Sequence, residues 1–568
     1  MAVAVAAILI ASCGCAGNPR ARGDGSARDD AGRDGGIRNP DGGGIRDAGG
    51  SSPADASSDG STRDAGGSSG SSDADRDGGT RDAGGETDGA AAPPTPPPGA
   101  ILVTDHGALC DGVTNDTAAF VAASEKINQA GGGALWLPTG GVTCIVGAQT
   151  FEAGRGYTTS SIISIHDCPD PVTVHGNGAR LRAADGLRFG SFDPTTGEPY
   201  MPPSLPFTTF PYGTSAYVMV HLQSNASVSV NDMELDGNID GLIVGGQYGD
   251  IGIQLPAFGL IAYSNENLTI KKIHTHHHGT DGIMVGFPGL TEQSEPTPTL
   301  LEDVVSEYNA RQGFSWVGGI GLTVRRSKFT NSGRTRFSSP PGAGVDIEAE
   351  ESVIRDGLFE DCEIANNTGV GFVADSGDSA RITVRRSSIW GNSAWSIWPL
   401  KPFMRFEHCD IHGAAVNLYG STADPASAAK FVDCSFDDLD HPTFGKTYED
   451  LLINLGAGIS QNVEFENCSF TATKGKSLYI VGGTLENPIT LSHGTTISHQ
   501  FVPSPGDFVA VLNGVQLDDV HFTETVPETT SGFVATQRVW VGPNVVVDGP
   551  HITFAGTTGT IPPGEYSY

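Results

Sequence analysis

The chain has 568 residues, 78 of them glycine, and a formal net charge of −33. Charged residues make up 17% and aromatic residues 8%, which suits a large apolar core but not a charged helical protein. The acidic balance argues against nucleic acid, whose phosphate backbone needs a basic face, and against a broad basic groove for polyanions.

The first residues, MAVAVAAILIASC, form a short apolar run that ends at Cys13. The stretch Ile10-Ala11-Ser12-Cys13 resembles a bacterial lipoprotein signal. That resemblance implies export, cleavage after residue 12 and acylation of Cys13; the alternative is an ordinary cleaved signal peptide. Residues 1–13 are therefore expected to be a signal. The protein is expected at the cell surface as an outer-membrane lipoprotein, or otherwise secreted. Its membrane contact would be the lipid anchor, because no later segment offers about 20 consecutive apolar residues.

Residues 14–99 are built mainly from Gly, Asp, Arg, Ser and Ala, and Arg-Asp-Ala-Gly-Gly recurs at Arg46, Arg63 and Arg81. Almost nothing there can offset chain ordering by burial, so this linker is expected to be disordered, with an end-to-end distance of roughly 50 Å. The tripeptide Arg22-Gly23-Asp24 looks like an adhesion signal, but in such a composition chance accounts for it. Five prolines between Pro93 and Pro98 stiffen its end.

The body, residues 100–568, opens with Asp105-His106-Gly107-Ala108 and Asp111-Gly112-Val113-Thr114-Asn115-Asp116. An apolar-periodic stretch from Phe120 to Ala130 follows, then Gly131-Gly132-Gly133 and Ala134-Leu135-Trp136-Leu137-Pro138. Asn115 or Asp116 can cap a helix there, and Gly131 can end it. These roughly 40 residues resemble the opening motif of the pectate lyase superfamily, the rhamnogalacturonase/epimerase-like β-helix proteins. The resemblance implies an all-β right-handed parallel β-helix whose N-terminal end is plugged by a capping helix.

A solenoid repeats one phrase per turn. Here the phrase is apolar, two polar, small or apolar, polar, apolar. It runs from Val230–Leu235 and Ile270–Thr275 through Leu301–Ser306, Val324–Phe329, Phe359–Ile364, Val384–Ile389, Phe406–Ile411 and Phe431–Phe436 to Phe465–Phe470. Its fourth position, Met233, Ile273, Val304, Ser327, Cys362, Ser387, Cys409, Cys434 and Cys468, is read as an inward column, so the four cysteines are core residues rather than a zinc site. Its polar pair alternates in sign: Lys271-Lys272, Glu302-Asp303, Arg325-Arg326, Glu360-Asp361, Arg385-Arg386. Strands about 4.8 Å apart turn that alternation into a ladder of opposite charges. Among Cys110, Cys144 and Cys168 one disulfide is expected, with no pairing readable. Asparagines after the phrase (Asn309, Asn331, Asn366, Asn367 and Asn392) mark the turns. Residues beyond about 490 read as the last coils and an end cap.

Each turn leads to a Gly and a short strand: Gly282-Ile283, Gly313-Phe314, Gly344-Val345, Gly371-Phe372. If the second residue faces inward, Asp346, Glu348 and Asp375 face outward, with Glu348 and Asp375 in register on successive coils. Asp281, Arg311 and Gln312 fall on the preceding turns, with His276, His277 and His278 just before them. The expected catalytic set is Asp346, Glu348, Asp281, Arg311 and His278. His276, Gln312, Asp375, Tyr200 and Tyr212 are expected to bind substrate, the tyrosines from an aromatic insertion at 190–214.

Paired carboxylates serve glycoside hydrolysis, and His with Arg serves β-elimination or epimerisation of uronates. No cofactor is assigned; calcium on the outer carboxylates is one reading, and zinc at His276 and His278 another. The expected partner is a polysaccharide, acted on by a glycoside hydrolase or polysaccharide lyase. The competing expectation is a non-catalytic glycan-binding or adhesion module. Asn-Thr-Asp, Gly-His-Gly and Arg-x-Pro-x-x-Arg patterns of catalytic superfamily members are absent, so the resemblance carries the fold and no catalytic set.

Overall fold

The computed structural model describes residues 94–200, 212–246, 255–448, 452–455, 460–474, 478–500, 507–525 and 531–568. The expected signal, Cys13 and nearly all of the linker lie outside the described residues, as do Phe207 and Phe210 of the aromatic insertion.

One helix, α1 (Thr117–Ala130), precedes the coils. Its start is tied by Asn115, whose Oδ1 accepts from the Thr117 amide at 3.1 Å. Asp116 instead turns back, accepting the amides of Leu109 and Cys110. Gly131 ends the helix at φ 76°, which an L side chain rarely adopts. Phe120, Ala123 and Ile127 face the core, so α1 covers the apolar end of the first coil. A disulfide joins Cys110 to Cys144, and Cys168 stays a buried thiol.

The body is a right-handed parallel β-helix with three parallel faces, A, B and C. On face A, Leu260, Ile283, Phe314, Val345, Phe372 and Ile397 pair in sequence. On face B, Leu301, Val324, Phe359, Val384, Phe406 and Phe431 do so. On face C the row is Thr275, Ser306, Phe329, Ile364, Ile389 and Ile411. These rows point inward and form one core. Phe406, Phe431 and Phe465 stack with centroids 4.9 and 5.0 Å apart, the strand spacing itself.

The expected inward column is buried throughout, Cys362 at 4% and Cys409 at 0% exposure included. The charge ladder also forms: Lys271 to Glu302 at 3.0 Å, Arg326 to Asp303 at 2.8 Å, Arg386 to Asp361 at 2.9 Å. The second polar position has a further duty. Lys272, Asp303, Arg326, Asp361, Arg386, His408, Asp433 and Asn467 all take positive φ, between 47° and 56°. This left-handed residue, repeated at the same place in each coil, bends the chain from face B to face C. Asp and Asn accept that conformation readily; for Arg it costs on the order of 1 kcal/mol, against which the cross-coil ion pairs act.

The asparagine turns bond coil to coil, as Asn366 Nδ2 to Asn331 Oδ1 at 2.7 Å. At the C-terminal end the parallel rows give way to antiparallel strands, Gly564–Tyr566 on Gly532–Val541 and Gly559–Thr560 on Val546–Asp548, which cover the last edge.

Candidate functional site

Six strands frame the candidate sites. Strand β1 (Val228–Asp236) and strand β2 (Leu268–His276) each cross from face B to face C. On face A lie β3 (Ile283–Gly286) and β4 (Phe314–Trp316), and β5 (Val345–Glu360) starts there. The next coil supplies β6 (Phe372–Arg385).

Ile283, Phe314, Val345 and Phe372 are fully buried in the core. Alternation then turns the next residue of each strand outward, giving the row Met284, Ser315, Asp346, Val373. Asp346 is outward in register yet only 6% exposed. Gln312 covers it, its Nε2 donating to Asp346 Oδ2. Arg311 Nη1 donates to Gln312 Oε1 at 3.1 Å and to Asp281 Oδ2 at 3.1 Å. Ser315 Oγ closes the network, donating to Asp281 Oδ2 at 2.9 Å and contacting Gln312 Oε1. Asp281 and Arg311 are buried, so this is a desolvated ion pair wired to a second carboxyl.

Burial and the nearby Glu348 charge push the Asp346 carboxyl well above the usual carboxylate range; Arg311 opposes them without prevailing. Asp375 is also raised by burial, against the pull of Lys401. Lys401 is lowered by burial and held by its donation to the Gly377 carbonyl at 2.7 Å. Beside the network, Tyr263 has its phenol raised by burial and sits against an apolar cluster of Phe258, Ile261, Met284 and Val317.

The structure therefore brings together Asp281, Arg311, Gln312 and Asp346, with Glu348 and Asp375 acting on Asp346. It adds Ser315, which the sequence reading missed although it is the register partner of Asp346 one coil earlier. It also corrects the reading in three places. Asp375 is not in register with Glu348: Ile347 pairs with Ala374 and Glu348 with Ser376, so Asp375 is the extra residue of a bulge. His278 is no part of the outer patch. It is fully buried, its Nε2–H donating to the Leu235 carbonyl at 3.1 Å, and edge-on to Tyr217, and burial lowers its pKa to about 3. His276 lies at the end of face C rather than on face A, 3.0 Å from Glu234 Oε1. Tyr200 and Tyr212 stack on each other, centroids 4.1 Å apart, beside the small separate sheet that pairs Arg188–Ser191 with Gly213–Thr214 and Ile243–Gly245.

Among the described residues, three groups have donor atoms close enough to hold a metal ion: Cys110, Asp116 and Cys144; Glu234, His274 and His276; Asp236, His276 and His277. The first contains the disulfide. A shallow groove along the bend from face B to face C is lined by Arg326, Asp361, Glu363, Arg386 and His408, the residues of the structural ladder.

Residues 323–503 match a family described as the right handed beta helix region. The chain is 26% identical over 265 residues to mannuronan C5-epimerase AlgE3 of Azotobacter vinelandii, covering 40% of this chain and 12% of that protein. It is 25% identical over 235 residues to alginate lyase 7 of the same organism, covering 38% of this chain and 23% of the relative. The chain thus spans less than a quarter of these relatives. Among solved structures, the A-module of mannuronan C-5 epimerase AlgE6 from Azotobacter vinelandii aligns over 79% of this chain and 100% of its own, with 12% identity and a TM-score of 0.33. The pre-mature gene product 12 of bacteriophage phi29 aligns over 81% and 58%, with 14% identity and a TM-score of 0.41. From its three parallel faces and the family match within them, the chain is a right-handed parallel β-helix protein.

Proposed function

We propose that this protein is a polysaccharide-modifying enzyme whose reaction runs on proton transfer at the outer side of face A. The observation that carries the proposal is Asp346: a desolvated carboxyl with a raised pKa, wired through Gln312 to the Arg311–Asp281 pair. A buried ion pair and a buried carboxyl with a raised pKa are costly in a body whose inward rows already supply a full core. A carboxyl poised to give up its proton suits a general acid at a glycosidic oxygen, with Glu348 as the second carboxylate of a hydrolase. A second reading is proton transfer at the carbon beside a uronate carboxylate, as in a lyase or epimerase, with Arg311 answering the substrate charge. The similarity to a mannuronan C5-epimerase and an alginate lyase favours it.

The test is incubation of the purified chain with neutral and uronic-acid polysaccharides. New reducing ends without near-ultraviolet absorbance identify a hydrolase. New absorbance identifies a lyase, and altered uronate stereochemistry without cleavage an epimerase. Retained binding with no product on any polymer refutes the enzyme in favour of a glycan-binding module.

We further propose that residues 1–13 direct export, that Cys13 carries the lipid, and that 14–99 tether the body to the membrane. The motif ending at Cys13 supports this reading. Fatty-acid labelling of the expressed protein, abolished by Cys13→Ser, is expected; labelling that persists in the variant overturns it.

A further inference from the structure

The run His276-His277-His278 is not used by the face A network. Strand pairing sets β1 beside β2 so that Glu234 lies opposite His274 and Asp236 opposite His276. His277 follows at the corner, with φ 57°. Its ring stacks on Tyr308 of the next coil, centroids 5.3 Å apart and 8° from parallel. The result is a side-chain cluster at the end of face C.

Within it, His276 Nδ1 and His277 Nδ1 face each other at 2.7 Å. His276 Nε2 is 3.0 Å from Glu234 Oε1, so a proton on Nε2 is held by that carboxylate and Nδ1 keeps its lone pair. Glu234 is itself held by Arg180 Nε at 3.1 Å. A histidine whose far N–H is held by a carboxylate is the usual second support of a metal-bound imidazole. Asp236 Oδ1 lies 3.8 Å from His276 Nδ1 and accepts the Asn238 amide at 2.8 Å. Its other oxygen is taken by Arg180 and Arg182. Oδ1 therefore keeps a lone pair, and it lies within 4.8 Å of the donor nitrogens of both imidazoles.

We propose that Asp236, His276 and His277 form a binding site for a divalent transition-metal ion of the zinc class. Two imidazoles and one carboxylate are the donor set of such an ion, whereas calcium takes oxygen ligands. Metal–nitrogen bonds of about 2.05 Å at a tetrahedral angle hold two nitrogens about 3.3 Å apart. His277 therefore swings out slightly at its surface corner, and the N–H···N contact with His276 is replaced by two bonds to the ion. The fourth position faces solvent on the half-exposed His277 side and takes water. Glu234 stays outside the coordination sphere, and His274 stays with Glu307, 3.0 Å away.

The probe is Co2+, added to the full chain carrying no histidine tag, with tetrahedral visible absorbance as the readout. One saturable equivalent is expected, displaced by Zn2+ and not by excess Ca2+. His277→Asn, which keeps a residue tolerant of positive φ, is expected to weaken binding at least tenfold; His274→Asn is expected to leave it unchanged. Circular dichroism confirms that both variants fold. Absence of a saturable equivalent, an unaffected His277→Asn, or loss in His274→Asn instead overturns the proposal.

Discussion

Replacing Asp346 by Asn keeps the side-chain shape and lets its amide oxygen accept the Gln312 Nε2–H, while removing the group that binds a proton. The folded carboxyl titrates above its ordinary 3.8. Between 3.8 and the folded value, the unfolded chain has lost this proton and the folded chain keeps it. The unfolded state then binds fewer protons, so Asp346 lowers stability by about 1.4 kcal/mol for each pH unit in that window. Below the window the penalty vanishes; above it the penalty is constant. The variant carries no such slope. It does bury an amide NH2, a pH-independent cost of about 1–3 kcal/mol if that group stays unpaired. Denaturant unfolding of both proteins across a pH series isolates the slope from that offset. The stability of Asp346→Asn relative to the unmodified protein is expected to rise with pH across the window. On a polysaccharide that the unmodified protein converts, turnover is expected to fall by roughly 10²–10⁴-fold, the usual worth of a positioned acid. Parallel stability curves refute the raised pKa, and undiminished turnover refutes the assigned role.

Arg311→Met leaves Asp281 charged and buried, and is expected to cost about 3–5 kcal/mol in denaturant unfolding; the double variant Arg311→Met with Asp281→Leu should recover much of it. Phe431→Ala removes the middle ring of the Phe406–Phe431–Phe465 stack and should cost about 3–5 kcal/mol, read in the same assay. Cys110→Ser with Cys144→Ser opens a link between residues 34 apart, worth about 4 kcal/mol by loop entropy, and reduction of the unmodified protein should reproduce its unfolding midpoint.

The sequence by itself determined the fold, the coil spacing, the inward cysteine column and the charge ladder. A solenoid stacks each coil on the one before, so its packing is written as a period along the chain, and Lys271, Glu302 and Arg325 can be read as neighbours without a structure. The outward register of Asp346 was legible for the same reason, and with it the approach of Asp281 and Arg311.

Only the tertiary structure decided what breaks the period. His277 turns left-handed at the corner, and this resets the alternation so that His278 enters the core instead of joining the patch. The bulge at Asp375 shifts one strand by a residue. The Cys110–Cys144 pairing depends on how the segment before α1 meets the first coil. Gln312 folds over Asp346 and covers it, and that burial raises the pKa of an outward carboxyl. Each of these depends on how a turn directs its side chains in space, and a turn, unlike a strand, carries no period from which that direction can be read.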